Sequence, residues 1–279
     1  MHDIFYFTDV HGMYDLYKAA MDYCINEDPE CAIIYGGDAC DRGNSGYKIM
    51  NELLNNPRVC YLKGNHEDMF VHAAIAIKQL YKSPLEEDYI FDFLYNQEIN
   101  EDGDKAIHLH LYNGGYYTLY NWMMDGMPEE FIDKINKLPL TFSYENLDFC
   151  HAGGTYEAFE NASRAEYFGD WVDKEDAMML LWDRMHLSTG WAPERTCIFG
   201  HTPTVHLPSI YYGKDKSISN IHPCSYIGLF DNKFNGKKID MDTGTFNSKK
   251  LYVLNCLTLK AQGFELKDNE IKKIKRIRV

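Results

Sequence analysis

Ile4-Phe5-Tyr6-Phe7-Thr8-Asp9-Val10-His11-Gly12 opens the chain, and its reading decides the fold. A short apolar run ends in a polar turn containing glycine, and Tyr14 to Cys24 follows with helical spacing. The arrangement recurs twice. Cys31 to Tyr35 runs into Gly36-Gly37-Asp38, with a helix predicted from Ser45 to Leu54. Val59 to Leu62 runs into Gly64-Asn65-His66-Glu67, with a helix from about Asp68 to Leu80. Apolar runs bounded by glycine and followed by helices signal βαβ units. Right-handed crossovers place the three turns along one edge of a sheet. In open α/β sheets ligands bind at that edge, at the carboxyl ends of the strands.

Further along, the pattern changes. The stretch from about Lys82 to Thr141 is rich in Asp, Glu, Tyr and Asn, and holds the turn Asn113-Gly114-Gly115. From Pro128 to Leu138 the residues Phe131, Ile132, Ile135 and Leu138 share one helical face. A mostly helical insertion able to cover a site is expected here. The later half reads as strands: Leu147 to Cys150 before His151-Ala152-Gly153-Gly154, Thr196 to Phe199 before Gly200-His201-Thr202-Pro203, Ile239 to Met241 before Asp242-Thr243-Gly244, then Leu251 to Leu257. Tyr211 to Lys238 reads as loop, and the basic tail from Lys272 to Val279 as a solvated end.

Bulk properties narrow the function. With 279 residues, 45% of them apolar, the chain can bury a large core within one α/β domain. The formal charge of −14 repels nucleic acid and anionic lipid. It does not exclude a phosphorylated substrate, because bound metal can dominate the field inside a cleft. None of the eight cysteines forms a Cys-x-x-Cys pair, so they are read as small core residues in a reducing compartment. No signal peptide and no membrane span are predicted, and the expected location is cytoplasmic.

Five predicted strand ends present Asp9 and His11, Asp38, Asn65 and His66, His151, and His201. Singly each is weak, since a histidine at a strand end usually serves hydrogen bonding. Together, each beside a glycine that lets a ligand approach closely, they indicate a metal site. Carboxylate, imidazole and amide oxygen without thiolate suit manganese, iron or zinc. A carboxylate between two cations can bridge them, and two-metal sites clamp both attacking and leaving oxygens in phosphoryl displacement.

Asp9-Val10-His11-Gly12, Gly37-Asp38-Ala39-Cys40-Asp41-Arg42-Gly43 and Gly64-Asn65-His66-Glu67 match, in order, the DxHG, GDxxDRG and GNHE motifs. They resemble the phosphoprotein phosphatase (PPP) family of calcineurin-like metallophosphoesterases. His151-Ala152-Gly153 and Gly200-His201-Thr202-Pro203 resemble its bacterial and bacteriophage lambda-type branch, with Asn113-Gly114-Gly115, Leu138-Pro139-Leu140 and Asp242-Thr243-Gly244 in weaker agreement. The resemblance implies a four-layer α/β/β/α sandwich of two mixed sheets, one domain over residues 1–279 with the helical insertion at about 82–141.

It also implies a chemistry. Asp9 and His11 would bind one divalent ion, Asp38 would bridge, and Asn65, His151 and His201 would complete the second site. Manganese is the first choice of metal. A bridging hydroxide would attack phosphorus, His66 would protonate the leaving oxygen with Asp41 holding its imidazole, and Arg42 and Arg184 would bind phosphoryl oxygens. Phosphorylated protein or a small phosphoester is the implied substrate, with a symmetrical dinucleoside tetraphosphate hydrolase as the alternative and a non-catalytic metal-binding module as a remote one. Lys63 departs from the arginine that some relatives carry before GNHE, which leaves the substrate grip there open. His72, His108, His110, His186, His206 and His222 are read as structural or surface residues, and Tyr116, Tyr117, Tyr120 and Trp122 as core.

Overall fold

The computed structural model describes residues 2–81, 83–95, 101–187, 190–204, 228–231 and 237–278. Its first half alternates as the sequence suggests: β1 (Ile4–Phe7), α1 (Tyr14–Glu27), β2 (Ala32–Tyr35), α2 (Gly46–Leu54), β3 (Val59–Tyr61) and α3 (Asn65–Leu80). Four helices follow, α4 (Glu87–Tyr95), α5 (Glu101–Tyr112), α6 (Tyr116–Met124) and α7 (Glu129–Asn136). The second half contains β4 (Thr141–Tyr144), β5 (Leu147–Cys150), α8 (Tyr156–Phe168), α9 (Lys174–Trp182), β6 (Thr196–Phe199), β7 (Gly228–Asp231), β8 (Lys237–Asp240), α10 (Thr245–Ser248), β9 (Lys250–Asn255), β10 (Lys260–Lys267) and β11 (Glu270–Arg278).

One sheet runs β11-β10-β9-β1-β2-β3, the other β4-β5-β6-β8-β7. In the first, β1, β2 and β3 are parallel, and β9 pairs antiparallel with β1. In the second, β5, β6 and β8 are parallel between two antiparallel edges. Both sheets are therefore mixed.

Alternation along the strands builds the layers, because successive side chains point to opposite faces. Phe5, Phe7, Ile33 and Tyr35 pack among residues of α1 to α3 and α6, such as Leu16, Met50, Phe70 and Trp122. Ile4, Tyr6 and Ile34 face the other way and meet Phe149, Ile198 and Ile239 of the second sheet. Cys150, Cys197 and Phe199 point outward onto Phe159 and Ala162 of α8 and Leu180 of α9. Helices, sheet, sheet, helices is the resulting order. The central strands are apolar on both faces because both faces are covered.

Three features differ from the sequence reading. Helices α8 and α9 lie where no helix was predicted, each with a side-chain N-cap: Thr155 Oγ1 accepts from Ala158 N at 3.3 Å and Asp173 from Glu175 N at 2.8 Å. The Tyr211–Lys238 stretch is not all loop, since β7 and the start of β8 fall inside it; its other residues lie outside those described. The basic tail is not a loose end. It forms β11, paired along its length with β10, and its charged side chains blunt a sheet edge.

Candidate functional site

The carboxyl ends of β1, β2, β5 and β6 and the N-terminus of α3 converge. Their loops lock through backbone bonds: Asp9 N to Gly37 O at 3.0 Å, His11 N to Asp38 O at 3.1 Å, and Gly12 N to Ala39 O at 2.9 Å. Such tight turns force the left-handed backbone on residues with side chains. φ is 55° at Asp9, 45° at His11, 58° at Asp38, 69° at Asp41, 63° at Arg42 and 68° at His201. These conformations are disfavoured for L-residues and cluster at functional sites, held by what surrounds them.

Asp38 lies at the centre, buried. Its Oδ2 is 3.6 Å from His11 Nε2 and 3.8 Å from His66 Nε2, and its Oδ1 is 3.3 Å from His151 Nε2. Burial alone would raise its pKa, but His151, His66 and His11 around it hold the carboxyl well below the usual carboxylate range. The converse holds for His151: burial opposes its charge, yet Asp38 carries its pKa up to about 10. Burial pushes His11 and His201 well below the ordinary imidazole value, with neighbouring Arg42 and His151, respectively, adding to the effect. Asp9 accepts from the His201 N–H at 3.1 Å and from the Thr8 hydroxyl at 2.6 Å. Asn65 Oδ1 meets His201 Nδ1 at 2.9 Å and His151 Nε2 at 3.0 Å.

Glu67 supports this arrangement from below. Its buried carboxylate accepts from Asp38 N at 2.7 Å, Ala39 N at 2.8 Å, Gly64 N at 2.9 Å and the Tyr61 hydroxyl at 2.7 Å. One side chain thus fixes the Asp38 turn and closes the first turn of α3.

A second cluster adjoins the first. His66 Nδ1 is 2.6 Å from Asp41 Oδ2, and Arg42 Nη2 is 3.2 Å from His66 Nε2. The other Asp41 oxygen takes His110 Nε2 at 2.7 Å and the Thr118 hydroxyl at 2.8 Å. Opposing the desolvation penalty, His110 and His66 hold the Asp41 carboxyl below its usual range. Against its own burial, Asp38 and Asp41 raise the pKa of His66.

The structure therefore brings together Asp9, His11, Asp38, Asp41, Arg42, Asn65, His66, His151 and His201. Arg184 stands at the rim, its Nη1 donating to His201 O and Thr202 Oγ1, both at 3.0 Å. Lys63 turns away to the end of α7, donating to Asn136 O at 2.7 Å, so it is a helix-capping lysine. His110, structural or surface by its sequence, instead contacts Asp41, and no local spacing signals a partner 69 positions away. Glu67, a motif residue in the sequence, likewise gives no local sign of the four donors that the fold brings to it. His72 is exposed on α3, His186 pairs with Asp183, and His206 and His222 lie outside the described residues. Trp122 is buried as expected, whereas Tyr117 is half exposed.

The donors fit divalent cations. Three ligand atoms of His11, Asp38 and His66, and three of Asp38, His151 and His201, each lie within 4.8 Å of one another. His11 Nδ1 is 2.9 Å from Cys40 O and His151 Nδ1 is 2.8 Å from Gly36 O, which fixes the proton there and turns each Nε2 lone pair inward. His201 Nε2 is buried without a hydrogen-bond partner among the described residues. Hard and borderline donors converging in this way suit Mn, Fe or Zn.

Such a fold and site define a metallophosphoesterase. The family model for calcineurin-like phosphoesterases matches residues 2–205, and the chain belongs to that family. The family hydrolyses phosphoesters at a dinuclear divalent metal centre, in keeping with the two clusters. No curated protein sequence matches the chain. Among solved structures it is similar to a cold-active protein tyrosine phosphatase, at 16% identity over 99% of this chain and 79% of that one, TM-score 0.50. It is also similar to a serine/threonine phosphatase of Saccharomyces cerevisiae that resembles human phosphatase PP5, at 13% identity over 100% and 80%, TM-score 0.46. A candidate diadenosine tetraphosphatase aligns at 12% identity over 98% and 93%, TM-score 0.45. At 16% identity the likeness to the tyrosine phosphatase concerns the fold alone. Among the described residues no helix is long and apolar enough to cross a membrane.

Proposed function

We propose that the chain is a protein phosphatase of the serine/threonine type that also accepts small phosphomonoesters. The observation that carries this reading is the buried Asp38 carboxylate facing His11, His66 and His151 while His66 is paired with Asp41 and touched by Arg42. Asp9 and His11 would hold one ion, Asn65, His151 and His201 the other, and Asp38 both. When bound, the pair, manganese in the first instance, supplies Lewis acidity and an acidified water.

The chain's own groups account for the rest. Arg42 presents a planar fork suited to two phosphoryl oxygens. The same guanidinium lies 3.2 Å from His66 Nε2, which puts the anion-binding fork beside the nitrogen that would serve the leaving oxygen. Asp41 accepts a hydrogen bond from His66 Nδ1–H, which fixes the ring and leaves Nε2 to carry the proton given to the leaving oxygen. Arg184 adds positive charge at the rim, and Asn65 and His66 open α3, whose N-terminal end favours an anion. The single-domain organisation and the insertion at about 82–141 belong to the same proposal. So does a cytoplasmic location, which the seven free cysteines of the described chain support.

The test is hydrolysis of para-nitrophenyl phosphate near neutral pH after loading with manganese. No turnover with Mn, Fe, Co or Zn removes the hydrolase assignment. Comparing kcat/KM for a phosphoserine peptide and diadenosine tetraphosphate then decides the substrate, and preference for the dinucleotide overturns the phosphatase reading.

A further inference from the structure

We infer that His110 is a positioning residue for the reaction, holding Asp41, and through it His66, from the helical stretch between α3 and β4. The inference rests on the hydrolase reading above. A buried carboxylate needs every lone pair engaged, since an unmet one costs far more than a met one gains. Asp41 is completely buried. One of its oxygens is given to His66, and the other is held by His110 Nε2 at 2.7 Å and the Thr118 hydroxyl at 2.8 Å. The torsion that aims Asp41 at His66 is thus set by two side chains from α5 and α6.

His110 is itself seated for this purpose. Its ring is fully buried, Nδ1 finds no hydrogen-bond partner among the described residues, and Nε2 faces the Asp41 carboxylate, which places the proton on Nε2. Gly115 N donates to His110 O at 2.9 Å. A Cβ at Gly115 would stand 2.5 Å from ring atom Cδ2, so the ring fits only against a bare backbone. Phe70 packs edge-on with its centroid 6.0 Å from the imidazole. The preceding glycine serves the residue after Asp41, because Gly114 O accepts from Arg42 N at 2.8 Å. The segment from His110 to Thr118 therefore grips Asp41 by its carboxylate and Arg42 by its backbone.

A histidine that only filled the core would affect folding and leave the chemistry of all substrates equally disturbed. A positioning role singles out substrates whose leaving oxygen needs a proton. Manganese-loaded wild type, His110→Phe, His110→Gln and Thr118→Val are compared on para-nitrophenyl phosphate, a good leaving group, and phosphoserine, a poor one, with bound metal and Tm recorded. Phenylalanine keeps the bulk and loses the donor. It is expected to lower kcat on phosphoserine by about tenfold or more while changing para-nitrophenyl phosphate by less than about threefold, with KM and metal content unchanged. Glutamine, which restores an N–H donor at similar reach, stays within about threefold of wild type on both. Thr118→Val shows the same split as phenylalanine, and carries the test if His110→Phe does not fold. Equal losses on both substrates, or glutamine falling as far as phenylalanine, overturn the inference. Wild type inactive on both substrates removes the hydrolase reading instead, and this inference with it.

Discussion

Replacing Glu67 by glutamine keeps the shape of the side chain and removes one acceptor. Oε2 accepts from Asp38 N and Gly64 N, at 2.7 and 2.9 Å. Oε1 accepts from Ala39 N and the Tyr61 hydroxyl, at 2.8 and 2.7 Å. With its NH2 at the Oε2 position, glutamine would face two backbone donors. At the Oε1 position it faces one, Ala39, because the Tyr61 hydroxyl can turn and accept. The second orientation wins and leaves a single buried N–H unpaired, a loss of about 1–3 kcal/mol. The two surviving backbone bonds also lose their charge assistance, about 1 kcal/mol each. Burial, with Asp38 nearby, pushes the Glu67 carboxyl upward, so removing the charge returns part of this. The net expectation is about 2–4 kcal/mol of lost stability, read from urea unfolding of chelator-treated protein as a lower midpoint at constant m. Because the released N–H, that of Ala39, belongs to the turn carrying Asp38, manganese-dependent turnover should fall more than about tenfold, the scale on which small misplacements act. A midpoint within about 0.5 kcal/mol of wild type, with normal turnover, would refute the reasoning.

Other perturbations probe neighbouring contacts. A Cβ at Gly200 would collide with Asp9 Oδ2, so Gly200→Ala should weaken metal retention in equilibrium dialysis and cost about 1–3 kcal/mol in urea; unchanged retention would contradict the clash. Stripping divalent ions should lower Tm, since a ligand at about 100 Kd stabilises by about 2.7 kcal/mol, and Asp38→Asn should not respond to the chelator. Raised folded-state affinity of His151 for its proton, from 6.5 to about 10, gives metal-free protein a stabilisation present below pH 6.5 and lost as pH rises through about 10. Its urea midpoint should therefore fall across that interval, and His151→Asn should flatten the profile; a parallel profile would exclude His151 as the source.

Much of the first half was legible because glycine punctuates it. Gly12, Gly36, Gly37 and Gly64 mark the ends of apolar runs, and those ends became the site. The helices α8 and α9 escaped notice for a physical reason: α8 buries only Ala158, Phe159 and Ala162, a stripe too narrow to show periodicity. The β10–β11 hairpin did carry a signal. Asp268 and Asn269, at φ 55° and 60°, form the two-residue turn such residues favour, but the basic residues after it suggested a loose end. The convergence of Asp9, His11, Asp38, Asn65, His151 and His201 could be read from motif order, since each closes an apolar run. His110 could not, because its link to Asp41 depends on how α5 packs beside α3.

The pairing of Asn65 with His201 spans 136 positions, and that of Asp9 with His201 spans 192. Neither half of the chain holds the whole donor set: Asp9, His11, Asp38 and Asn65 sit on the first sheet's strand ends, His151 and His201 on the second's. During synthesis the nascent chain carries four of these donors long before the fifth and sixth emerge. If these six side chains hold the metals as proposed, cation capture at full strength waits until both sheets have docked, and a chain truncated before His201 would remain a weak binder. The ion pair would act as a check on completeness, sealing only molecules whose two ends have found each other.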